Sequence, residues 1–298
     1  MNNHANRKPQ TANRVIFIVG PTAVGKTEYA IELAKKVNGE VISADSMQVY
    51  RGMDIGTSKP TGHQRKEIPH YLIDIIEPDE EYSCADFREK AEALIKDIIA
   101  RKKTPIVVGG SGLYVRALID GLFQGPGADW DLRERIYEEA KIYGNEYLYE
   151  RLKTLDASAA AAIKPNDLRR IVRALEVCEK ANAPITQLRK ETHGIKDKYD
   201  VKIMGLLRER GELYKRIDAR VDRMFDDDLL EETKKLLKKG KFSRTAAQAL
   251  GYKEIIGHLN GEYSLDEAKR LTKRNTRHFA KAQLTWFRKD KTIEWVEL

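Results

Sequence analysis

The chain has 298 residues, 41% hydrophobic and 34% charged, enough for a sizeable core in one large or two smaller domains. Its 54 lysines and arginines against 46 acidic residues give a formal net charge of +8, which fits a slightly basic surface or a polyanionic partner. Cys84 and Cys178 stand alone, excluding a disulfide framework and a cysteine zinc site, and no run reaches the ~18 apolar residues of a membrane span, so a cytoplasmic protein is expected.

Residues 1–14 are polar, lack the apolar run of a signal peptide and read as a flexible tail. "VIFIVG" (Val15 to Gly20) is a β-branched apolar run that reads as a buried parallel strand. "TEYAIELAKKV" follows, with Ala30, Leu33, Ala34 and Val37 at helical spacing. A second strand, Val41 to Ala44, leads into Asp45. "HYLIDIIEP" offers a third strand ended by Pro78, and residues 84–103 form an amphipathic helix through Phe87, Ala91, Leu94, Ile95 and Ile98. "TPIVVGGSG" supplies a fourth strand running into a glycine turn. Alternating strands and helices predict a parallel sheet flanked by helices, with ligands at the carboxyl ends of the strands. Those ends are the loop after Val19, Asp45-Ser46 after Ala44, and "GGSG" after Val108.

The glycine-rich stretch from Asp120 to Asp129 ends this pattern, and helical periodicity without a convincing strand runs to about Lys190. Strand character returns at "VKIMGLL" (Val201 to Leu207), and charged helices run from Glu212 to near the end. The expected division is a core of residues 15–120 and 200–298, with an all-helical insertion over residues 121–199. Within the insertion, Tyr137, Tyr143, Tyr147 and Tyr149 could stack on bases, but their spacing better suits the core of a helical hairpin.

"GPTAVGKT" matches G-x-x-x-x-G-K-[ST] between a predicted strand and a predicted helix, the context that motif requires. Gly20, Pro21, Thr22, Ala23, Val24 and Gly25 would wrap a phosphate with backbone N–H groups, Lys26 adds a point charge, and Thr27 offers a hydroxyl to Mg2+. The core is thus expected to be α/β and P-loop NTPase-like. The loop identifies a phosphate, not a nucleotide. An ATP-driven machine would place a metal-binding Asp at the end of an apolar strand. "PIVV" ends instead in Gly109, Gly110 and Ser111, and Asp74 sits mid-strand in "LIDII". Asp45 is left, and as a mere magnesium ligand it would leave Ser46 and Gln48 without a role. Ser111 stays open: its hydroxyl touches a diphosphate or a base, or is incidental to a tight turn.

The chain resembles the tRNA dimethylallyltransferases, also called tRNA isopentenyltransferases, over nearly its whole length after the tail. The likeness rests on "GPTAVGKT", "ISADSMQVYRGMDIGTSKP", "VGGSGLYVRAL", "KPNDLRRIVRALEV", "QALGYKE" and "TRHFAKAQLTWFRKD", in that order. Lys164 stands where the family carries histidine, and the zinc-finger tail of some eukaryotic members is absent. The resemblance implies transfer of a dimethylallyl group from dimethylallyl diphosphate, with Mg2+, to N6 of the adenine 3′-adjacent to the anticodon, in tRNAs reading codons that start with U. Asp45 would be the general base, and Lys26, Thr27 and Arg220 would meet the departing diphosphate, with Ser111 close by and Arg223 at helical spacing from Arg220. The family pattern further implies that the tRNA anticodon stem-loop contacts Asp45, Ser46, Met47, Gln48 and Ser111. On the insertion, "DLRRIVRAL" places Arg169 and Arg173 one helical turn apart with Arg170 beside them, and these, with Ile171, Val172 and Arg133, are expected to contact RNA.

Residues 268–291 hold nine lysines and arginines against one acid, and Arg270, Arg274, Arg277 and Lys281 recur as a basic helical stripe, of which Arg277 and Lys281 are expected on RNA. Phe279, Leu284, Trp286 and Phe287 are expected to pack the opposite side. The protein is expected to act as a monomer. A small-molecule or nucleotide kinase is the alternative, since it would use the same loop without RNA. A non-catalytic RNA-binding module would leave Lys26, Thr27 and Asp45 together without purpose.

Overall fold

The structure, a computed structural model, describes residues 13–123, 125–188 and 192–298. The chain divides into two units, residues 1–119 with 195–298, and residues 120–194. Most of the polar tail lies outside the described residues, and Arg14 already belongs to the first strand.

The first unit follows from its apolar runs. Strands β1 (Arg14–Val19), β2 (Gly39–Ser43), β3 (His70–Tyr71) and β4 (Thr104–Gly109) alternate with helices α1 (Lys26–Val37), α2 (Gly62–Glu67) and α3 (Cys84–Ala100). Helix α4 (Gly112–Asp120) follows β4. After the insertion come β5 (Asp200–Leu207), α10 (Arg210–Asp226), α11 (Leu229–Lys239), α12 (Tyr252–Leu259), α13 (Leu265–Phe287) and β6 (Glu294–Glu297). All six strands are parallel, in the order β3-β2-β4-β1-β5-β6. Because both faces are covered, the central strands bury apolar residues on both sides: Val15, Phe17, Ile18, Val19, Ile42, Ile106 and Val107 are fully buried. The strand order reverses beside β1, so the carboxyl ends of β2, β4 and β1 sit next to one another at the crevice where such sheets take ligands.

Two elements differ from expectation. The third strand stops after Tyr71, because Leu72 and Asp74 adopt left-handed φ values of 61° and 58°, a conformation that a short polar Asp tolerates and a continuing strand does not. The chain then runs beside residues 48–51, with the Asp74 and Ile75 amides donating to Gln48 and Val49 carbonyls at 3.1 and 2.8 Å. Asp74 is therefore no mid-strand acid, and its carboxylate takes Lys59 and Arg65 at 2.5 and 2.6 Å. The second difference is β6, where helices alone were expected. Its four residues pair with Met204 to Leu207 and close the sheet edge.

In the second unit, the described residues outside loops are all helical: α5 (Trp130–Tyr143), α6 (Asn145–Leu155), α7 (Ala157–Ala162), α8 (Leu168–Ala181) and α9 (Ile185–Leu188). They enclose their own core, including Ile136, Leu148, Leu152, Ile171, Val172 and Leu175. Tyr137 and Tyr149 pack against it, but Tyr143 and Tyr147 are 62% and 48% exposed, with rings 5.0 Å apart. Tyr143 lies at the C-terminus of α5 and Tyr147 in the first turn of α6, beyond the packed seam.

Candidate active site

A loop that offers its N–H groups to a phosphate must turn its carbonyls outward, and those carbonyls need donors of their own. Residues 20–27 show this. Gly20, Ala23 and Gly25 have φ values of 147°, 63° and 110°, which give the loop its inward curl between β1 and α1. Lys26 Nζ donates to the Gly20 and Pro21 carbonyls at 3.0 and 2.7 Å. Arg216 Nε takes the Ala23 carbonyl at 2.9 Å, and Arg208 Nε takes Val24 at the same distance. Thr22 N–H donates to Gln283 Oε1 at 2.8 Å, while Gln283 Nε2 donates to the Gly110 carbonyl at 3.0 Å. Gln283, from α13, thereby joins the ends of β1 and β4.

A cavity of 740 Å³ opens over this loop, lined among others by Lys26, Thr27, Asp45, Gln48, Thr57, Arg220, Arg223, Phe279 and Gln283. Asp45 leaves the end of β2, which lies so near β4 that a Cβ at Gly109 would stand 2.1 Å from the Ala44 carbonyl. Only glycine permits that approach. Asp45 Oδ1 accepts from the Met47 amide at 2.9 Å, so the carboxylate is fixed by its own turn. Its Oδ2 takes no hydrogen bond among the described residues. Gln48 Oε1 accepts from Ser43 Oγ at 2.9 Å and Nε2 donates to the Thr57 carbonyl at 3.4 Å, leaving each end of the amide one further bond.

Arg220, on α10, donates from Nη1 to Thr22 Oγ1 at 3.0 Å and from Nη2 to the Thr57 carbonyl at 3.3 Å. Its Nε is buried without a partner among the described residues. Burial lowers the pKa of both cations, Lys26 to about 8, and Asp45 partly offsets the shift at each. Lys26, Lys59, Arg216, Arg220 and Arg223 line the cavity against Glu28, Asp45, Asp54 and Asp227, and the two desolvated cations, Lys26 and Arg220, gain most from an arriving anion.

Ser111 does not line this cavity. Its Oγ accepts from the Ser46 amide at 3.2 Å and meets Ser46 Oγ at 3.3 Å, which ties the β4 turn to the Asp45 turn. That gives the hydroxyl and Ser46 a holding role in the geometry. Met47 packs partly buried against the core.

On the helical unit, Arg169 and Arg170 are exposed. Arg133 and Arg173 are instead engaged with Glu176, which is 0% exposed: Arg133 Nε and Nη2 reach it at 3.0 and 2.9 Å, and Arg173 Nη1 also bonds it. Arg133 further stacks over Trp130. Ile171 and Val172 are 0% and 1% exposed, so the expectation of RNA contact is corrected for their side chains: they serve packing, because they fall on the inward stripe of α8.

The basic stripe on α13 is partly neutralised. Arg270 pairs with Glu267, and Arg277 with Asp218 on α10, whereas Arg274 and Lys281 are exposed without an acidic partner among the described residues. Phe279 and Trp286 were expected to pack inward with Phe287. They are 45% and 38% exposed, Phe279 at the cavity and Trp286 over Gly112, because only positions continuing Thr272, Thr276, Ala280, Gln283 and Phe287 face the core.

Sequence reasoning missed Gln283, Arg208 and Arg216. The four-residue step from Arg216 to Arg220 on a helix was the one available signal, whereas Gln283 looked like a neutral residue in a basic run.

A family model described as IPP transferase matches residues 48–290. The tRNA dimethylallyltransferase of Halothermothrix orenii is 50% identical over 301 residues, covering 100% of this chain and 92% of that protein. The crystal structure of the full-length tRNA isopentenylpyrophosphate transferase of Bacillus halodurans is 44% identical, covers 96% of this chain and 90% of that one, and superposes with a TM-score of 0.70. A eukaryotic dimethylallyltransferase captured acting on tRNA is 30% identical with a TM-score of 0.78, over 96% of this chain and 74% of that one. With a family match over most of its length and relatives at half identity throughout, the chain belongs to the IPP transferases, the tRNA dimethylallyltransferase family.

Proposed function

We infer that the protein transfers a dimethylallyl group from dimethylallyl diphosphate to N6 of the adenine 3′-adjacent to the anticodon, in tRNAs that read codons beginning with U. The observation that carries the site assignment is a single one. Asp45, Lys26, Thr27, Gln48 and Arg220 line the same cavity, with one Asp45 oxygen held by the Met47 amide and the other open.

An exocyclic adenine amine is a poor nucleophile, because its lone pair is delocalised into the ring. Asp45 Oδ2 accepts an N6 proton as nitrogen bonds the allylic carbon, and the breaking carbon–oxygen bond leaves its electron pair on diphosphate. Such general-base help is worth about 10²–10⁴-fold. Lys26, Arg220 and the loop amides meet the departing charge. Magnesium at phosphate sites takes one or two protein oxygens with phosphates and waters, so the Thr27 hydroxyl beside Asp45 fits it, although the described residues hold no cluster of three ligating acids, histidines or cysteines. When bound it neutralises charge on the diphosphate. Gln48 has a spare donor and acceptor for an adenine edge.

The adenine must leave its stack to reach Asp45, which costs a few kcal/mol and is easiest in a single-stranded loop. Arg169 on the helical unit, and Arg274 and Lys281 on α13, are exposed cations suited to RNA phosphates, and Arg170 is exposed but paired with Asp167 at 3.2 Å. No helix among the described residues is long and apolar enough to cross a membrane, and the reading takes the enzyme as a cytoplasmic monomer. Incubation with labelled dimethylallyl diphosphate, magnesium and total tRNA should give labelled adenosine on digestion. ATP-dependent phosphorylation of a small acceptor without RNA, and no labelled adenosine, would sink the reading.

A further inference from the structure

The turn at residues 54–57 has a consequence for Arg220. Three successive backbone amides, those of Asp54, Ile55 and Gly56, point to one side of it. The Glu232 carboxylate, on α11, accepts from Asp54 at 3.2 Å and from Ile55 at 3.1 and 3.0 Å. The Tyr252 hydroxyl, on α12, accepts from Gly56 at 3.2 Å and donates to Glu232 Oε1 at 2.5 Å. Tyr252 is 0% exposed, and its ring lies flush on Gly56, where a Cβ would stand 2.3 Å from Cε2. Burial and the neighbouring Glu232 raise its pKa, so the phenol stays a donor across the ordinary pH range.

The other side of the turn faces the cavity. The next carbonyl, that of Thr57, accepts from Arg220 Nη2 and from Gln48 Nε2. Thr57 is itself buried, with Oγ1 donating to the Met53 carbonyl at 2.6 Å. With its Nε buried and unpartnered, the guanidinium is held by two contacts, Thr22 Oγ1 on Nη1 and the Thr57 carbonyl on Nη2, so moving that carbonyl removes one of the two bonds that set its plane.

We propose that Glu232, with Tyr252 as its hydroxyl partner, is a positioning residue that clamps the 54–57 turn and thereby aims Arg220 at the anion. This rests on the diphosphate reading of the cavity. It also gives a role to the "QALGYKE" segment, which lines no part of the cavity.

The test reads the anion site and not the transfer. Pyrophosphate with magnesium is titrated calorimetrically into the full-length protein and into Glu232→Gln, Arg220→Lys and the double variant. Glu232→Gln keeps size but puts an NH2 donor where one carboxylate oxygen accepts, so either the Asp54 amide or the Tyr252 hydroxyl loses its acceptor. It should weaken pyrophosphate about tenfold, and less than about twofold when Arg220 is already lysine, since residues that act through one another are non-additive. Equal weakening in both backgrounds overturns the proposal, because a merely structural role would not depend on Arg220. Should Glu232→Gln not fold, Tyr252→Phe removes only the hydroxyl and runs through the same cycle with the same criterion. A wild type that binds pyrophosphate but does not prenylate RNA defeats the transfer reading while this cycle still decides the clamp.

Discussion

A buried ammonium held by two carbonyls and no touching carboxylate is costly to a protein that has nothing to bind. Lys26 is such a group, its pKa brought down by burial from 10.5 to about 8. The folded chain therefore holds fewer protons than the unfolded one between about pH 8 and 10.5, so this residue makes stability rise with pH across that window. The cost below it is about 3 kcal/mol, recovered when an anion arrives. The thermal midpoint of wild type relative to Lys26→Met should climb as pH rises from 8 towards 10, while wild-type affinity for pyrophosphate declines over the same range. A gap independent of pH would contradict this. For Asp45 the informative variant is Asp45→Asn, which keeps the acceptor for the Met47 amide. Its turnover should fall about 10²–10⁴-fold with tRNA affinity retained, measured by single-turnover labelling and filter binding. Lys26, Thr27, Asp45 and Gln48 were readable because each sits in a contiguous motif. Gln283, Arg208 and Arg216 were not, since their partners lie 261, 184 and 193 residues away and a linear pattern carries no such pairing.

Helix α8 shows how an element can be read from its sequence while the partners of its charges stay hidden. "DLRRIVRAL" gives the helix, an Asp167 cap to the Arg170 amide, and an apolar stripe, all local properties. What it hides is Glu176, which burial alone would make a weaker acid but which Arg133, the Asp129 amide and Arg173 together hold below its ordinary pKa. Removing that carboxylate strands two arginines. Glu176→Ala should cost about 3–5 kcal/mol, read as a lowered denaturation midpoint, and Arg133→Ala should likewise destabilise before it affects RNA. Element α13 was equally legible as a helix, yet its inward face follows from the tertiary partner and not from hydrophobicity: Thr272, Thr276 and Gln283 are buried while Phe279 and Trp286 are not. The early end of β3, a strand expected over the longer "HYLIDIIEP", and the four-residue β6 escaped notice for a related reason, since short edge strands depend on neighbours more than on their own composition.

At the scale of the molecule, alternation and one loop motif sufficed for a parallel sheet with its site at the carboxyl ends. Strand order did not follow from them, because nothing local says that β5 returns beside β1 after a helical unit. Charge behaves similarly. A net +8 suggests a polyanion, but ion pairs decide which cations are available. The salt dependence of tRNA binding should show this: Arg274→Ala and Lys281→Ala should each flatten the slope of log K against log salt by about 1. Arg277→Ala should change it less, because Asp218 already balances that charge. Equal slopes for all three would overturn the distinction.

The central strand has its two neighbours from distant parts of the chain: Ile16 lies opposite Ile106 on one edge and Lys202 on the other, and Arg14 meets Asp200 across 186 residues. A ribosome adding about 5–20 residues per second delivers the second neighbour roughly 10–40 s after the first strand emerges. For that interval the nascent polypeptide carries a bare, apolar backbone edge next to its phosphate loop. Translation speed and holdase chaperones, more than final stability, should then govern how much active enzyme a cell recovers.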